Sequence, residues 1–415
     1  MLTAAGTIGV RHGFAPDPAL PARDLLLDQD AARDQLTALD GRVVEDCELV
    51  RVKYRIGESL RVTYRVGVDG TCGLRTVRVF RGGDSASAYR KAAGPGVVHD
   101  PALDAVWWSF PADRRLQRLD EILRPAPDLA ALASGWATSE LVEYSPERAA
   151  TFRALDRAGT PVGYAKAYAP GTVDVGERAD RYGRIAGVLA GAGLSSPLPL
   201  GRSPERGVLV MQPMPGVQWG ELDGPALTAA IRRLGVAIAT LHDSGDRAAA
   251  GLPRFARLDV RRVVHSAHLV ALARPDVSRQ ALRLADRLAD GPPPGGSPVP
   301  LHGDCHPKNA LVDGDAIALI DLDQAGTGPA AADIGSLIAR LHQDGDTGAM
   351  RAAFLAGYRT VRALPAERSL RWHTAAALVA ERAVRAVNRV HLPTLDRLGD
   401  LLRTADDVLL NGVGL

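Results

Sequence analysis

The chain has 415 residues, enough for two or three domains with sizeable cores, and its 50 Lys and Arg against 48 Asp and Glu leave a formal charge of only +2. That balance excludes a general polyanion-binding surface, so no nucleic-acid partner is expected. The hydrophobic fraction of 46% contains no run near the roughly 18 apolar residues of a membrane helix, so no membrane partner is expected either.

Residues 1–40 hold loop-forming Pro and Gly and then a weak helix over Asp28–Leu39. The opening MLTAAGTIGVRHGF lacks a basic region followed by an apolar segment, so no signal peptide is expected. Cys47, Cys72 and Cys305 cannot all pair and show no CxxC spacing, which predicts a reduced, cytoplasmic protein. Arg51–Ile56, Ser59–Val66 and Leu74–Phe80 alternate polar and apolar residues and predict a three-stranded antiparallel meander. Loops, the apolar patch Val106-Trp107-Trp108 and helical stretches near Arg114–Leu123 and Leu129–Ala133 follow.

A second meander is predicted over Glu140–Tyr144, Ala150–Leu155 and Gly163–Tyr168. Val52-Lys53-Tyr54 aligns with Val142-Glu143-Tyr144, and Val77-Arg78-Val79-Phe80 with Ala165-Lys166-Ala167-Tyr168, which suggests an internal duplication with Arg78 opposite Lys166. Next come a helix over Val175–Ala192, a buried strand over Gly207–Met211 and a turn at Gln212-Pro213-Met214-Pro215-Gly216. The remainder reads as helical: Ala226–Asp243, Val260–Ala273, Ser278–Ala289, Ala332–Leu341, Gly348–Val361, Leu370–Val390 and Leu398–Leu410. The Pro/Gly stretch Gly291–Pro300 reads as a loop within a domain rather than a boundary.

Within that helical half, Leu301–Asp323 (LHGDCHPKNALVDGDAIALIDLD) concentrates Asp304, Asn309 and Asp321. Asp313-Gly314-Asp315 between the apolar runs Ala310–Val312 and Ala316–Ile320 is a hairpin signal. An antiparallel hairpin returns its exit to the level of its entry, so Asn309 and Asp321 are expected to reach one cation. The spacing from Asp304 to Asn309 is that of a kinase catalytic loop. Asp321 and the Asn309 amide oxygen suit Mg²⁺, a hard cation that keeps phosphate and water ligands, and Asp304 is left free to orient a hydroxyl. A rival, transition-metal ligation by His302 and His306, lacks a third or fourth convergent ligand in the sequence.

HGDCHPKN followed by IDLD resembles the aminoglycoside phosphotransferase family, the antibiotic and sugar kinases related to protein kinases, over roughly Glu140 to the C-terminus. The resemblance implies a two-lobed α+β, protein-kinase-like fold with ATP as phosphoryl donor and Mg²⁺ as cofactor. It implies Asp304 as catalytic aspartate, Asn309 and Asp321 as metal ligands, and Asp333 as a structural residue tying down the loop. It also implies that Lys166, one of only four lysines, binds ATP phosphates and pairs with a helix acid, Glu177 first and Asp180 second. Tyr144–Arg148 then stands where kinases carry a Gly-rich phosphate cover, without that motif, and Gln212 and Met214 occupy the adenine-binding hinge.

The expected partition is an N-terminal β-rich cap over 1–134, a small lobe and hinge over 135–216, and a helical large lobe over 217–415. The expected activity is phosphorylation of a small-molecule hydroxyl, with a pseudokinase as the alternative; a protein kinase is disfavoured because no activation segment follows Asp321. Residues 351–415 carry ten Arg and six acids. That is mild evidence against a polycationic aminoglycoside acceptor and for a neutral or anionic one. Arg382, Arg385 and Arg389 share one helix face, which reads as a solvated surface.

Overall fold

The computed structural model describes residues 13–92, 94–245, 249–291, 296–346 and 348–412. Residues 1–12, on which most of the signal-peptide reading rests, and 292–295 of the Pro/Gly stretch lie outside the described residues.

Helices α1 (Arg23–Leu27) and α2 (Gln29–Asp40) lead into an antiparallel sheet. Asp28 caps α2 by accepting the Ala31 N–H at 2.9 Å, which offsets the missing intrahelical partner there. The sheet comprises β1 (Asp46–Arg55), β2 (Ser59–Val68) and β3 (Thr71–Phe80), then helix α3 (Ser85–Arg90), β4 (Val97–Asp100) and β5 (Ala105–Ser109), in the order β1-β2-β3-β5-β4. Alternation along these strands buries Val52, Tyr54, Leu60, Val62, Tyr64, Val77 and Trp107 in one core. The predicted helices after β5 shrink to single turns, α4 (Asp120–Leu123) and α5 (Pro127–Ala130).

A second antiparallel sheet repeats the plan. Strands β6 (Thr138–Ser145), β7 (Ala149–Leu155) and β8 (Pro161–Tyr168) precede helix α6 (Val175–Gly191), β9 (Pro199–Ser203) and β10 (Val208–Met211), in the order β6-β7-β8-β10-β9. Both first strands shift register at the same tripeptide, between Leu49 and Arg51 and between Leu141 and Glu143. Glu48-Leu49-Val50 therefore matches Glu140-Leu141-Val142, two residues away from the Val-x-Tyr alignment expected from sequence. The shift leaves Val50 and Val142 outside the regular pairing, and both are exposed. At the other side of each sheet Arg78 pairs with Val106 of β5, and Lys166 pairs with Leu209 of β10. Each partner is the second residue of its strand.

The helical half contains α7 (Gly224–Asp243), α8 (Val260–Ala273), α9 (Ser278–Ala289), α10 (Ala331–Gln343), α11 (Ala349–Arg359) and α12 (Glu367–Ala377). The last continues through a wide π-helical turn at Leu378–Ala383 into α13 (Val384–Arg389), before α14 (Leu392–Asp396) and α15 (Leu398–Asn411). Helices α7 and α11 touch backbone to backbone: a Cβ on Gly235 would sit 2.1 Å from the Phe354 carbonyl, and one on Gly357 would sit 1.9 Å from that of Arg232. Four short strands lie among the helices: β11 (Val299–Leu301) pairs with β14 (Gly326–Gly328), and β12 (Ala310–Asp313) pairs with β13 (Ala316–Leu319). The architecture is thus the expected two-lobed α+β arrangement of sheet and helical lobe, with an additional N-terminal β-rich sheet.

Candidate active site

The site is built on the loop leaving β11. Gly303 turns it with φ +78°, and a Cβ there would lie 1.9 Å from the Gln324 carbonyl, so a side chain fits neither the dihedral nor the space. Buried Asp333, at the start of α10, accepts the backbone N–H groups of His302 at 2.7 Å and Gly303 at 2.9 Å. His242 Nε2 donates to the same carboxylate at 3.2 Å, and Tyr358 holds the other ring nitrogen at 2.9 Å. Burial opposes ionisation of Asp333, but the His242 hydrogen bond first, and then the neighbouring imidazoles and the Gly303 amide, outweigh it and hold the carboxyl below its ordinary value. The His302 ring donates to the Ile320 carbonyl at 3.0 Å, fastening the loop to the far end of the hairpin. His302 is therefore a packed, hydrogen-bonded residue.

Asn309 and Asp321 bracket the β12–β13 hairpin, and their ends are joined by the Ile320 N–H to the Asn309 carbonyl at 2.9 Å. The Asn309 amide nitrogen donates to the Asp304 carbonyl at 3.0 Å, which leaves its side-chain oxygen as the available ligand. Asp321 adopts φ +57°, a left-handed conformation that costs free energy in a non-glycine residue and often marks function. The oxygens of Asp321 and Asn309 are the donor type that Mg²⁺ takes.

Asp304 is held by Arg257, which donates to its carboxylate at 3.1 Å and to the Gly303 carbonyl at 2.8 Å. Burial alone would raise the Asp304 carboxyl; Arg257 outweighs it and, with His306 and Arg385, brings it down to about 2. Asp304 is thus an ionised acceptor at neutral pH. His306 Nε2 stands 3.8 Å away, and burial pushes that imidazole down to about 4, so it is neutral.

Lys166 reaches this site from β8, 3.0 Å from Asp321 and 2.6 Å from Asp323. Desolvation disfavours its charge, but Asp323 and then Asp321 more than compensate, so the ammonium stays protonated. Asp323 is also bound by Arg178 at 2.7 Å and by the hydroxyls of Tyr168 at 3.1 Å and Tyr182 at 3.0 Å. Against burial, Lys166 first and then Arg178 bring its carboxyl down to about 2.

The expected Lys166–Glu177 pair does not form. Glu177 is exposed in the first turn of α6, where its N–H is capped by Asp174. The runner-up Asp180 pairs outward with Arg202 at 2.8 Å. Asp323 takes the role instead; its only sequence signal was its position two residues after Asp321. The Gln212 N–H already donates to the Leu198 carbonyl at 2.8 Å, and neither Gln212 nor Met214 lines the cavity.

That cavity, about 730 Å³, is bounded by Lys166, Asp304, Asn309, Asp321 and Asp323, with Ser145, Arg148 and Thr151 of the second sheet above them. A neighbouring cavity of about 410 Å³ shares Lys308, Arg340, Arg385 and Arg389 with it. Arg382, expected on a solvated face, is only 1% exposed and lines this second cavity. Arg382, Arg385 and Arg389 do share one face, and that face lines the cavity instead of meeting bulk solvent.

Residues 164–399 match the model of the "Phosphotransferase enzyme family" (APH). No curated protein matches the chain. Among solved structures, the macrolide 2'-phosphotransferase of Brachybacterium faecium is 22% identical, covers 71% of this chain and 98% of its own, and superposes with a TM-score of 0.44. A choline/ethanolamine kinase family protein from Mesorhizobium loti is 18% identical, with coverages of 70% and 92% and a TM-score of 0.46. An amicoumacin kinase bound to AMP-PNP, Ca²⁺ and its antibiotic is 15% identical, with coverages of 68% and 91% and a TM-score of 0.48.

Proposed function

The chain belongs to the phosphotransferase enzyme family (APH), and is accordingly a phosphotransferase; we propose that it moves the γ-phosphoryl group of ATP to a hydroxyl of a small molecule. One observation carries this reading: a single cavity gathers Lys166 from the sheet with Asp304, Asn309 and Asp321 from the helical lobe. Phosphoryl transfer needs in-line positioning and charge neutralisation more than covalent chemistry, and these residues supply both.

In this reading Lys166 neutralises phosphate oxygens, and Asp321 with the Asn309 amide oxygen would hold Mg²⁺. When bound, the ion would supply positive charge that screens the phosphates. Asp304, fixed by Arg257, accepts a hydrogen bond from the acceptor hydroxyl. With its carboxyl near 2 it is a weak base, so it orients the oxygen and takes the proton late, as the new O–P bond forms and ADP leaves. ATP supply places the reaction in the cytoplasm. Among the described residues no helix is long and apolar enough to cross a membrane.

The division into cap (1–134), small lobe (135–216) and large lobe (217–415) is part of the same reading, with the cap as a second copy of the small lobe. The shared strand order and the shared bulge support the duplication. Arg78 stands where the second copy has Lys166, and it binds Glu147 of the β6–β7 hairpin at 2.6 Å together with Arg61 and Arg114. The cap thus anchors the hairpin over the cleft, and only the second copy performs chemistry.

The test is incubation with ATP and MgCl₂ and a panel of sugars, sugar acids, aminoglycosides and macrolides, followed by mass spectrometry. A product heavier by one phosphoryl group, formed mole for mole with ADP, is the expected result. ATP binding without transfer to any hydroxyl compound would favour a nucleotide-sensing module.

A further inference from the structure

The second cavity has an unusual charge balance. Lys308, Arg340, Arg382, Arg385, Arg389 and Arg397 line it against the carboxylates Asp344, Glu381 and Asp400; Asp344 neutralises Arg340 within that wall, while Asp400 and Glu381 are drawn to groups outside it. Asp344 pairs with Arg340 at 2.8 Å, Asp400 pairs with Arg403, and Glu381 receives Ser336 and lies 3.4 Å from Arg257.

Arg382 is the decisive residue. Its side chain is 1% exposed, its best carboxylate contact is Glu381 at 3.5 Å, and its Nε has no hydrogen-bond partner among the described residues. A desolvated guanidinium left this poorly paired is costly, and structures keep one where a partner is to arrive. Burial first, and then its like-charged neighbours against the pull of Glu381, push Arg382 down to about 10; burial and Arg385 do the same to Arg389. Two further buried polar atoms on this cavity lack partners, His342 Nε2 and Gln343 Oε1, a donor or acceptor pair suited to hydroxyl groups.

We propose that the acceptor is an anionic polyol, a sugar acid or sugar phosphate, whose oxyanion is held by Arg382, Arg385 and Arg389. This deepens the phosphotransferase reading and rests on it. The shared wall of Arg385 and Arg389 places such a ligand beside Asp304, with the guanidinium fork matching carboxylate or phosphate oxygens in pairs. A polycationic acceptor would instead add like charge to a wall already short of anions.

The experiment uses the full-length protein saturated with AMP-PNP and Mg²⁺, so that the nucleotide cleft is filled before an anion is added. Inorganic phosphate and acetate are then titrated separately by calorimetry, in a non-coordinating buffer. The expected result is saturable binding of at least one anion, weakened tenfold or more by Arg385→Ala and by Arg382→Met. Arg385 makes no ion pair among the described residues, so its variant keeps the result readable if Arg382→Met folds poorly. A preference for phosphate assigns a sugar phosphate, and a preference for acetate a sugar acid. Absence of binding by both anions, or binding that both variants leave unchanged, overturns the proposal. The AMP-PNP titration itself reports separately on the ATP reading: no AMP-PNP binding, with anion binding still dependent on these arginines, defeats the donor assignment and upholds the anion site.

Discussion

Lys166 and Asp323 meet at 2.6 Å across the cleft, so strand β8, which carries Lys166, is tied to the loop behind the catalytic hairpin. Asp323 also balances Arg178 and accepts two tyrosine hydroxyls, which makes it the electrostatic centre of that corner. Asp323→Asn therefore leaves Arg178 without its carboxylate and Lys166 with Asp321 alone, and is expected to cost about 3 kcal/mol, read as a lower midpoint in urea denaturation. Lys166→Met removes one cation from a carboxylate that keeps Arg178, so its stability cost is smaller. Its turnover is expected to fall by roughly 10²-fold or more. A variant with wild-type turnover would remove Lys166 from the phosphate site.

Asp333 anchors the catalytic loop without facing the substrate. Asp333→Asn replaces one acceptor oxygen by a donor opposite the His302 and Gly303 amides, in a site with almost no access to water. A loss of about 2–3 kcal/mol in unfolding free energy is expected, together with a fall in kcat. Unchanged hydrogen-exchange protection of the two amides in the variant would contradict the anchoring role.

Gly303→Ala probes the same loop by sterics. The new Cβ meets the Gln324 carbonyl at 1.9 Å in a backbone conformation with φ +78°, so loop and neighbour must separate. Activity is expected to drop more than 10²-fold, because an ångström of misplacement has that effect on a positioned nucleophile. An active, equally stable variant would show that the loop tolerates a different path.

Acid sensitivity follows from His306. Its folded value, about 4, lies below the ordinary 6.5 because burial disfavours the imidazolium. Between those values the unfolded chain binds more protons, so the associated stability is present above about 6.5 and is lost as pH falls toward 4. The stability difference between wild type and His306→Gln should therefore shrink or change sign over that window, measured by denaturation at stepped pH. A difference that stays constant from pH 7 to pH 4 would mean that His306 titrates normally.

Sequence patterns located elements whose signals are local. Val260–Ala273 and Ser278–Ala289 have clear helical periodicity and were delimited to the residue, and the Asp-Gly turn fixed the β12–β13 hairpin. Strands β4, β9, β11 and β14 are three to five residues long, too short for an alternating pattern to mark them, and β11 and β14 pair only with each other across the whole catalytic hairpin. The site shows the same division. Asp304, Asn309 and Asp321 stand in one loop-and-hairpin unit, whereas the choice of Asp323 over Glu177 for Lys166 depends on how the lobes face each other. The burial of Arg382 depends on the helices that pack over its face, which helical periodicity within one segment cannot encode.

The central claim is that Asp304 orients an acceptor hydroxyl beside a nucleotide held by other residues. The most direct measurement compares wild type and Asp304→Asn for ATP binding by calorimetry and for phosphorylated product by mass spectrometry. The account predicts ATP affinity within a few-fold of wild type and product formation lowered by roughly 10³-fold. Product formed by Asp304→Asn at the wild-type rate would contradict it.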